Sequence, residues 1–253
     1  MEEFVAETAH NRVLKKYFQT TSAAGITGET LDYKRSTAGL RRALGSWLDV
    51  DGKDVVDLGS GTGELCWLVH KHGARGITGV NLSQEEINFA SPHVPAKFVN
   101  QDIVSFLTQQ PDESCDCIFA LNILEHLGKD ELVQTLEESA RCLRNGGQLV
   151  AMVPNSTSPF GCMTRYWDIT HQLAFTPSSV MQLMRLCGFA TAEFRELGPR
   201  PHGVISVIRY LLWQACRAMI WFRLMIETAS GKGGIYTADM LFRLTKEDGK
   251  REE

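Results

Sequence analysis

Between residues 54 and 153, short β-rich segments alternate with helical segments. The β-rich segments read DVVDL, GITGVNL, AKFVNQD, DCIFAL and QLVAMVP, and residues 64–72, 84–90 and 129–143 have helical character. Alternation at this spacing is typical of a parallel sheet covered by helices on both faces. We therefore predict an α/β fold with a doubly wound, mostly parallel sheet, which the late strand-like run DMLFRL closes.

The chain divides into a cap and a core. Residues 1–50 contain helix-favouring segments at 11–20 and 33–48 around a loop rich in Gly, Ser and Thr, and we predict that they form an α-helical N-terminal cap or lid. Residues 51–253 form the core, with a substrate-pocket insertion at about 154–235. Within residues 154–203 of this insertion we predict a short helix at 177–187, which ends at Gly188.

Composition excludes several classes of protein. A net charge of −4 and a pI near 6.0 argue against a nucleic-acid binder, because replacing phosphate counterions requires a dominant basic surface. The seven cysteines are scattered without a CxxC pair, which predicts buried free thiols in a reducing compartment. The N-terminal residues show neither a signal nor a transit pattern, so we expect a cytoplasmic protein.

The segment VVDLGSGTG, residues 55–63, predicts a site for a nucleotide-like ligand. A buried strand runs into a turn whose three glycines let the backbone approach a bound molecule, and the next helix begins at Glu64. The spacing DxGxGxG differs from the GxGxxG of dinucleotide-binding turns. The carboxylate of Asp57 suits a ligand with ammonium and sulfonium groups, whereas it would repel a pyrophosphate.

This segment resembles the first motif of the class I methyltransferases that depend on S-adenosylmethionine (SAM). The resemblance covers residues 54–153, with a weaker continuation to Phe189. It implies a Rossmann-like fold, SAM as the cofactor and S-adenosylhomocysteine as its product. It also implies that four residues contact the methionine portion of SAM, namely Asp57, Gly59, Gly61 and Gly63.

Further segments match the family's cofactor motifs in order. Asn81 stands where the family usually has an acid for the ribose hydroxyls, and we expect Gln84 or Glu85 to compensate. The resemblance assigns the adenine amine to Asp102 and the adenine ring to Ile103. The cofactor contacts that it implies beyond the first motif are Asn81, Leu82, Asp102, Ile103, Leu121 and Asn122.

The stretch CIFALNILEHL carries the residues expected to begin the substrate side, Glu125 and His126. His126 is a candidate general base for a hydroxyl acceptor because an imidazole titrates near neutrality. A positioning or structural role for His126 is the alternative. In either case, alignment of nucleophile, methyl group and sulfur in a dry pocket is the main requirement of the transfer.

Residues 166–189, YWDITHQLAFTPSSVMQLMRLCGF, resemble the DxTHxxxFTP segment of methyltransferases associated with polysaccharide, glycolipid and natural-product sugar biosynthesis. The resemblance implies that Tyr166, Asp168 and His171 face the acceptor. His171 is a second candidate base, or a buried residue that orders the loop, and Tyr33 of the cap is a further acceptor contact. Asp168 and His171 lack an identifiable third ligand, so no metal site is predicted.

Residues 204–228 are strongly apolar but carry Arg209, Arg217, Arg223 and Glu227 within an arc of about 120° of a helix. This charged stripe argues against a spanning helix. We predict a helix that packs on the domain or in a homodimer interface, or that makes a peripheral contact with the inner face of a membrane.

The functional hypothesis is O-methylation of a sugar or related hydroxyl acceptor, which is a small molecule or a glycan. One form of this hypothesis has the acceptor linked to a lipid. N- or C-methylation of a small metabolite, quinone precursor or lipid is the alternative. A non-catalytic SAM-binding regulatory subunit is a hypothesis of another class.

Overall fold

The computed structural model describes residues 13, 19, 31–229 and 234–247. Most of the predicted cap, including the segment at 11–20 and the loop that follows it, therefore lies outside the described residues. The division into cap and core stays a prediction.

The described end of the cap packs on the sheet. It contains α1 (Tyr33–Ser36), α2 (Ala38–Leu44) and a 3₁₀ helix (Gly45–Leu48). The pattern at 33–48 predicts one helix, but Gly45 has φ +53°, which ends α2 and turns the chain. Leu44 and Trp47 are fully buried, so the predicted apolar face does form an inner surface.

The core alternates strands and helices as predicted. Its elements are β1 (Asp54–Leu58), α3 (Glu64–Lys71), β2 (Gly76–Asn81), α4 (Gln84–Ala90), β3 (Lys97–Asn100), α5 (Ile103–Thr108), β4 (Cys115–Leu121), a 3₁₀ helix (Leu124–His126), α6 (Lys129–Cys142), β5 (Leu143–Pro154), α7 (Gly161–Tyr166), α8 (Pro177–Leu186), β6 (Thr191–Glu196), α9 (Val204–Thr228) and β7 (Asp239–Thr245).

The seven strands form one sheet in the order β3-β2-β1-β4-β5-β7-β6. Strands β1 to β5 pair in parallel, whereas β7 pairs antiparallel with both β5 and β6. This confirms the doubly wound, mostly parallel fold. The run DMLFRL, however, lies between β5 and β6 instead of closing the edge, and the edge strand β6, whose sequence TAEFRE is largely polar, was not predicted.

The core lies on both faces of the sheet because side chains alternate along each strand. Val56 and Leu58 of β1 join a cluster with residues from α5, α6 and α8, while Val55 faces the opposite way. On that second face Val55 packs in a cluster with Trp47 and Phe119. Both clusters hold the carboxyl ends of the central strands in place, and the site lies at those ends.

Helix α9 has the bounds that its sequence predicts, and it is mostly exposed. Of its 25 residues only Ser206 is buried, and an ion pair of 3.0 Å joins Arg217 to Glu196 of β6. No helix in the described part of the chain is both long and apolar enough to cross a bilayer.

Candidate functional site

A cavity of about 160 Å³ lies at the carboxyl ends of β1, β2, β3 and β4. Ligands of open parallel sheets bind at this edge, where the strand order reverses. The residues that line the cavity are Gly59, Gly61, Val80, Asn81, Leu82, Glu86, Gln101, Ile103, Asn122, Ile123 and His126. Six of the ten predicted cofactor residues are therefore in one place: Gly59, Gly61, Asn81, Leu82, Ile103 and Asn122.

The glycines of the turn have different neighbours. Gly59 has φ +76°, and a Cβ there would lie 2.7 Å from Cγ1 of Ile123, so the backbone and Ile123 are in close contact. Gly61 has φ +49°, and a Cβ there would meet no atom within 4 Å. The open side of the turn is therefore at Gly61, where a bound molecule can approach the backbone closely.

A carboxylate that the sequence reasoning missed lies beside Asn81. The Asn81 amide donates from Nδ2 to Oε2 of Glu86 at 2.8 Å, and its Oδ1 accepts from the Ser83 backbone N–H at 3.2 Å. Glu86 is 4% exposed and lines the cavity. The carboxylate beside Asn81 thus belongs to Glu86, which the first turn of α4 directs inward, and the compensation expected from Gln84 or Glu85 stays a prediction.

Asp57 is buried at the end of β1 and does not line the cavity. One of its carboxylate oxygens, Oδ2, accepts a hydrogen bond from the Cys66 thiol of α3 at 3.4 Å. Burial raises the pKa of Asp57 to about 7, and the charge of Glu64 adds to the rise while the Cys66 hydrogen bond opposes it. A buried acidic group with a raised pKa therefore lies directly behind the glycine turn.

The other predicted cofactor residues outside the cavity have structural contacts. Gly63 has φ +86° at the start of α3, where a Cβ would press on Ala90 and Val94. Asp102 caps α5, since its Oδ1 accepts from the Ser105 N–H at 2.8 Å. Gln101, the residue before Asp102, lines the cavity. Leu121 is the last residue of β4, directly before the lining residue Asn122.

Tyr33 lies behind the glycine turn. Its hydroxyl donates to the Thr62 carbonyl oxygen at 2.8 Å, and its ring stacks on Trp67 with centroids 6.0 Å apart. Burial raises the pKa of Tyr33 to about 12, so the hydroxyl keeps its proton and the bond. In this position Tyr33 supports the turn, and the predicted acceptor contact stays a prediction.

His126, which is predicted to begin the acceptor side, is buried and lines the cavity. Its Nδ1 lies 2.7 Å from Oγ1 of Thr170, and the Thr170 hydroxyl donates to Oδ1 of Asp168 at 2.6 Å. Because that hydroxyl proton is given to Asp168, the Thr170 oxygen accepts from Nδ1–H of His126. The predicted residue Asp168 is thereby linked to His126 through Thr170.

His171 and Glu125 lie next to His126. The two imidazole rings are perpendicular, with centroids 4.7 Å apart, and Nε2 of His171 lies 3.9 Å from Oε1 of Glu125. Burial raises the pKa of Glu125 to about 8, with further contributions from the charges of Asp239 and Asp168. This grouping was not predicted from the sequence, because the two histidines are 45 residues apart.

Several large side chains at the end of α7 and directly after it face solvent. Tyr166 is 75% exposed, Trp167 is 78% exposed and Ile169 is 92% exposed. Tyr166 also lies 5.0 Å from the guanidinium of Arg165. The predicted acceptor residue Tyr166 therefore belongs to an exposed aromatic surface beside the site and does not line the cavity.

Residues 55–147 match the family model described as a methyltransferase domain. This segment of the chain is similar to methyltransferases. Ubiquinone biosynthesis O-methyltransferases of several Coxiella burnetii strains are 32% identical to the chain over 107 residues, which are 40% of this chain and 44% of theirs. The chain thus spans less than half of the length of these relatives.

Solved structures of methyltransferases share the architecture around this segment. A SAM dependent methyltransferase from Archaeoglobus fulgidus has a TM-score of 0.66 and 19% identity, covering 91% of this chain and 99% of that one. Magnesium protoporphyrin IX methyltransferase of Synechocystis, solved with bound SAM, has a TM-score of 0.58 and 14% identity over 96% and 99% of the two chains. A Burkholderia thailandensis 1,6-didemethyltoxoflavin-N1-methyltransferase has a TM-score of 0.57 and 18% identity over 98% and 93%. At these identities the likeness establishes the Rossmann-like class I methyltransferase fold.

Proposed function

We propose that the protein is a SAM-dependent methyltransferase whose cofactor binds in the cavity beside Gly59 and Gly61. The observation that carries this proposal is that one cavity combines the glycine turn, six of the ten predicted cofactor residues and the candidate base His126. When bound, SAM supplies an activated methyl group on a sulfonium. S-adenosylhomocysteine is the product that then leaves the same cavity.

The lining fits an adenosine-type group. Val80, Leu82 and Ile103 give apolar contacts for a base, and Glu86 with Asn81 gives a polar end at the second strand. Glu86 accepts hydrogen bonds from ribose hydroxyls in this proposal, and Asn81 holds its carboxylate in place. The open side of Gly61 admits the remaining chain of the cofactor, whose positive charge the Asp57 carboxylate stabilises when ionised.

The acceptor proposed is a hydroxyl of a sugar or related compound. His126 supports this choice because its Nδ1–H is fixed by Thr170, so a neutral imidazole presents Nε2 as the basic atom. The exposed rings of Tyr166 and Trp167 offer flat apolar surfaces of the kind on which sugar rings stack. The similar Coxiella proteins carry the printed name O-methyltransferase.

A lipid-linked acceptor gives a role to α9. Leu211 and Leu212 are more than half exposed, and the exposed Arg209 and Arg223 lie on the same helix, so it suits a membrane surface with anionic headgroups. A cytoplasmic enzyme at the inner face of a membrane belongs to this proposal. Flotation with anionic vesicles should recover the wild type and lose the Leu211→Glu, Leu212→Glu variant. Sedimentation of both proteins distinguishes a membrane contact from a homodimer interface. If α9 forms a homodimer interface, the wild type should sediment as a dimer that does not bind vesicles, and the variant should sediment as a monomer.

The first experiment is calorimetric titration with SAM and S-adenosylhomocysteine. Wild type should bind both with micromolar affinity, and Asp57→Ala and Gly61→Val should lose binding while staying folded by circular dichroism. Absence of binding by folded wild type would refute the proposal. Acceptor profiling with methyl-labelled SAM then separates hydroxyl acceptors from the N- or C-methylation alternative, and binding without turnover on any acceptor would favour the regulatory subunit.

A further inference from the structure

The side chains of Glu125, His126 and His171 meet in a buried group on the acceptor side of the cavity. Each offers one ligand atom, and these atoms all lie within 4.8 Å of one another. Two segments distant in sequence bring them together, because the Gln172 and Leu173 backbone N–H groups donate to the Glu125 carbonyl oxygen at 2.7 and 3.0 Å. The backbone therefore fixes this group independently of any bound molecule.

Both histidines are oriented in the manner of metal ligands. His126 donates from Nδ1 to Thr170, whose hydroxyl is committed to Asp168. His171 has its Nδ1 3.0 Å from the Thr164 carbonyl oxygen, which only accepts, so Nδ1 carries the proton. In the neutral rings the lone pair is therefore on Nε2 in both cases. A hydroxyl–carboxylate relay or a carbonyl behind Nδ1 is the usual outer shell of a metal-binding imidazole.

Glu125 gives a second, independent indication of a ligand. Its side chain is 1% exposed, and Oε2 has no hydrogen-bond partner in the part of the chain that the structure describes. Leaving a buried carboxylate oxygen unpaired is unfavourable, and a cation would satisfy it. Asp168 and Asp239 are near enough to add negative charge around the same point.

We propose that Glu125, His126 and His171 bind one divalent transition-metal ion that activates the acceptor hydroxyl. Two imidazole nitrogens and one carboxylate favour Zn²⁺, Mn²⁺, Co²⁺ or Fe²⁺ over Mg²⁺ and Ca²⁺, which prefer oxygen ligands. An ion at about 2.1 Å from each ligand atom would draw the three atoms closer together by roughly 1 Å. This site departs from the sequence-based expectation of no metal, because two of its ligands, Glu125 and His126, come from the other segment and Asp168 is not a ligand.

The site deepens the proposed methyl transfer and rests on it. His126 lines the cavity, so an ion bound to it has an open position toward an acceptor there. Coordination lowers the pKa of an acceptor hydroxyl, whose proton passes to solvent. The acceptor oxygen then forms a bond to the methyl carbon while the carbon–sulfur bond breaks, and that electron pair stays on sulfur as a neutral thioether. In this arrangement His126 is a ligand, and the ion replaces it as the activating group.

The test is Mn²⁺ binding by the full chain after removal of metals with a chelator. Free Mn²⁺ is followed by its electron paramagnetic resonance signal, because Mn²⁺ avoids the cysteine thiols that would compete for Zn²⁺. Wild type should bind one ion per chain, and Glu125→Gln and His171→Asn should each weaken binding by at least about tenfold. Thr170→Val should also weaken it, by about tenfold, since it removes the acceptor behind His126. His72→Asn, on the far end of α3, is the matched control and should bind as wild type does.

SAM titration of the same samples keeps the two proposals apart. Glu125→Gln that binds SAM normally and fails to bind Mn²⁺ supports the metal site in a folded protein. Wild type that binds SAM but shows no saturable Mn²⁺ or Zn²⁺ site, or variants that bind Mn²⁺ as wild type does, would overturn the inference and leave the proposed methyl transfer in place. Metal binding without SAM binding would refute the methyl transfer instead.

Discussion

Replacement of the buried acid behind the glycine turn, Asp57→Asn, should remove a pH-dependent loss of stability. Burial raises the Asp57 pKa from its ordinary value of 3.8 to about 7 in the folded protein without cofactor. The folded state therefore binds this proton more tightly than the unfolded state. Its contribution to stability is complete below pH 4, declines as the pH rises to about 7, and is constant above that.

The magnitude follows from the two pKa values. A rise from 3.8 to about 7 corresponds to about 4 kcal/mol of unfolding free energy in total. About 2.5 kcal/mol of that falls between pH 5 and pH 8 by proton linkage. The asparagine does not titrate, so this part of the pH dependence should be absent from the variant.

The assay is urea unfolding of both proteins at several pH values between 5 and 8, without ligand, followed by tryptophan fluorescence. The quantity to compare is the unfolding free energy of wild type minus that of Asp57→Asn, because other titrating groups cancel in this difference. It should fall by about 2.5 kcal/mol as the pH rises. A difference that stays constant to within about 0.5 kcal/mol would refute the reasoning. At pH 8, saturating SAM should raise the unfolding free energy of wild type more than that of the variant, since the ionised carboxylate then faces a positively charged ligand.

Three further predictions concern the cavity and the thiols. Gly61→Ala should weaken SAM binding at least about tenfold by calorimetry, whereas Gly52→Ala, which has a similar positive φ and open space but lies outside the site, should carry the same backbone strain of about 1 kcal/mol and bind normally; equal affinities would contradict the approach at Gly61. Glu86→Gln should weaken SAM binding by about 1.5–3 kcal/mol through loss of a charged acceptor, and the neighbouring Glu85→Gln should bind SAM as wild type does. Wild-type affinity of Glu86→Gln would show that the ribose is held elsewhere. Titration of native protein with a thiol reagent should modify two of the seven cysteines rapidly, namely Cys162 and Cys216.

Local patterns were enough to predict most of the helices. Helix α4 and helix α9 begin and end where the sequence places them, because Ser83 caps the first and glycine precedes the second. The strand β6 was not predicted because an edge strand needs no continuous apolar face. The position of β7 inside the sheet was also not predicted, since strand order depends on pairing across the whole chain.

The site was predicted where it depends on backbone geometry. The turn at Gly59 and Gly61 has a spacing that leaves few alternatives, and both line the cavity. Glu86 was missed because only the rotation of α4 decides which of the neighbouring polar residues faces inward. The meeting of Glu125 with His171 depends on hydrogen bonds between segments 46 residues apart, which no local pattern indicates.

The position of β7 sets an order of assembly during synthesis. Strands β1 to β5 can pair as soon as they emerge, whereas β6 has no partner in the sheet until Asp239–Thr245 arrives. The segment that follows β5 depends on the same late part of the chain, because Asn155 donates from Nδ2 to the carbonyl oxygens of Ile235 and Thr237 at 2.8 Å. A nascent chain therefore completes its glycine turn well before the segment that follows β5 is held in place.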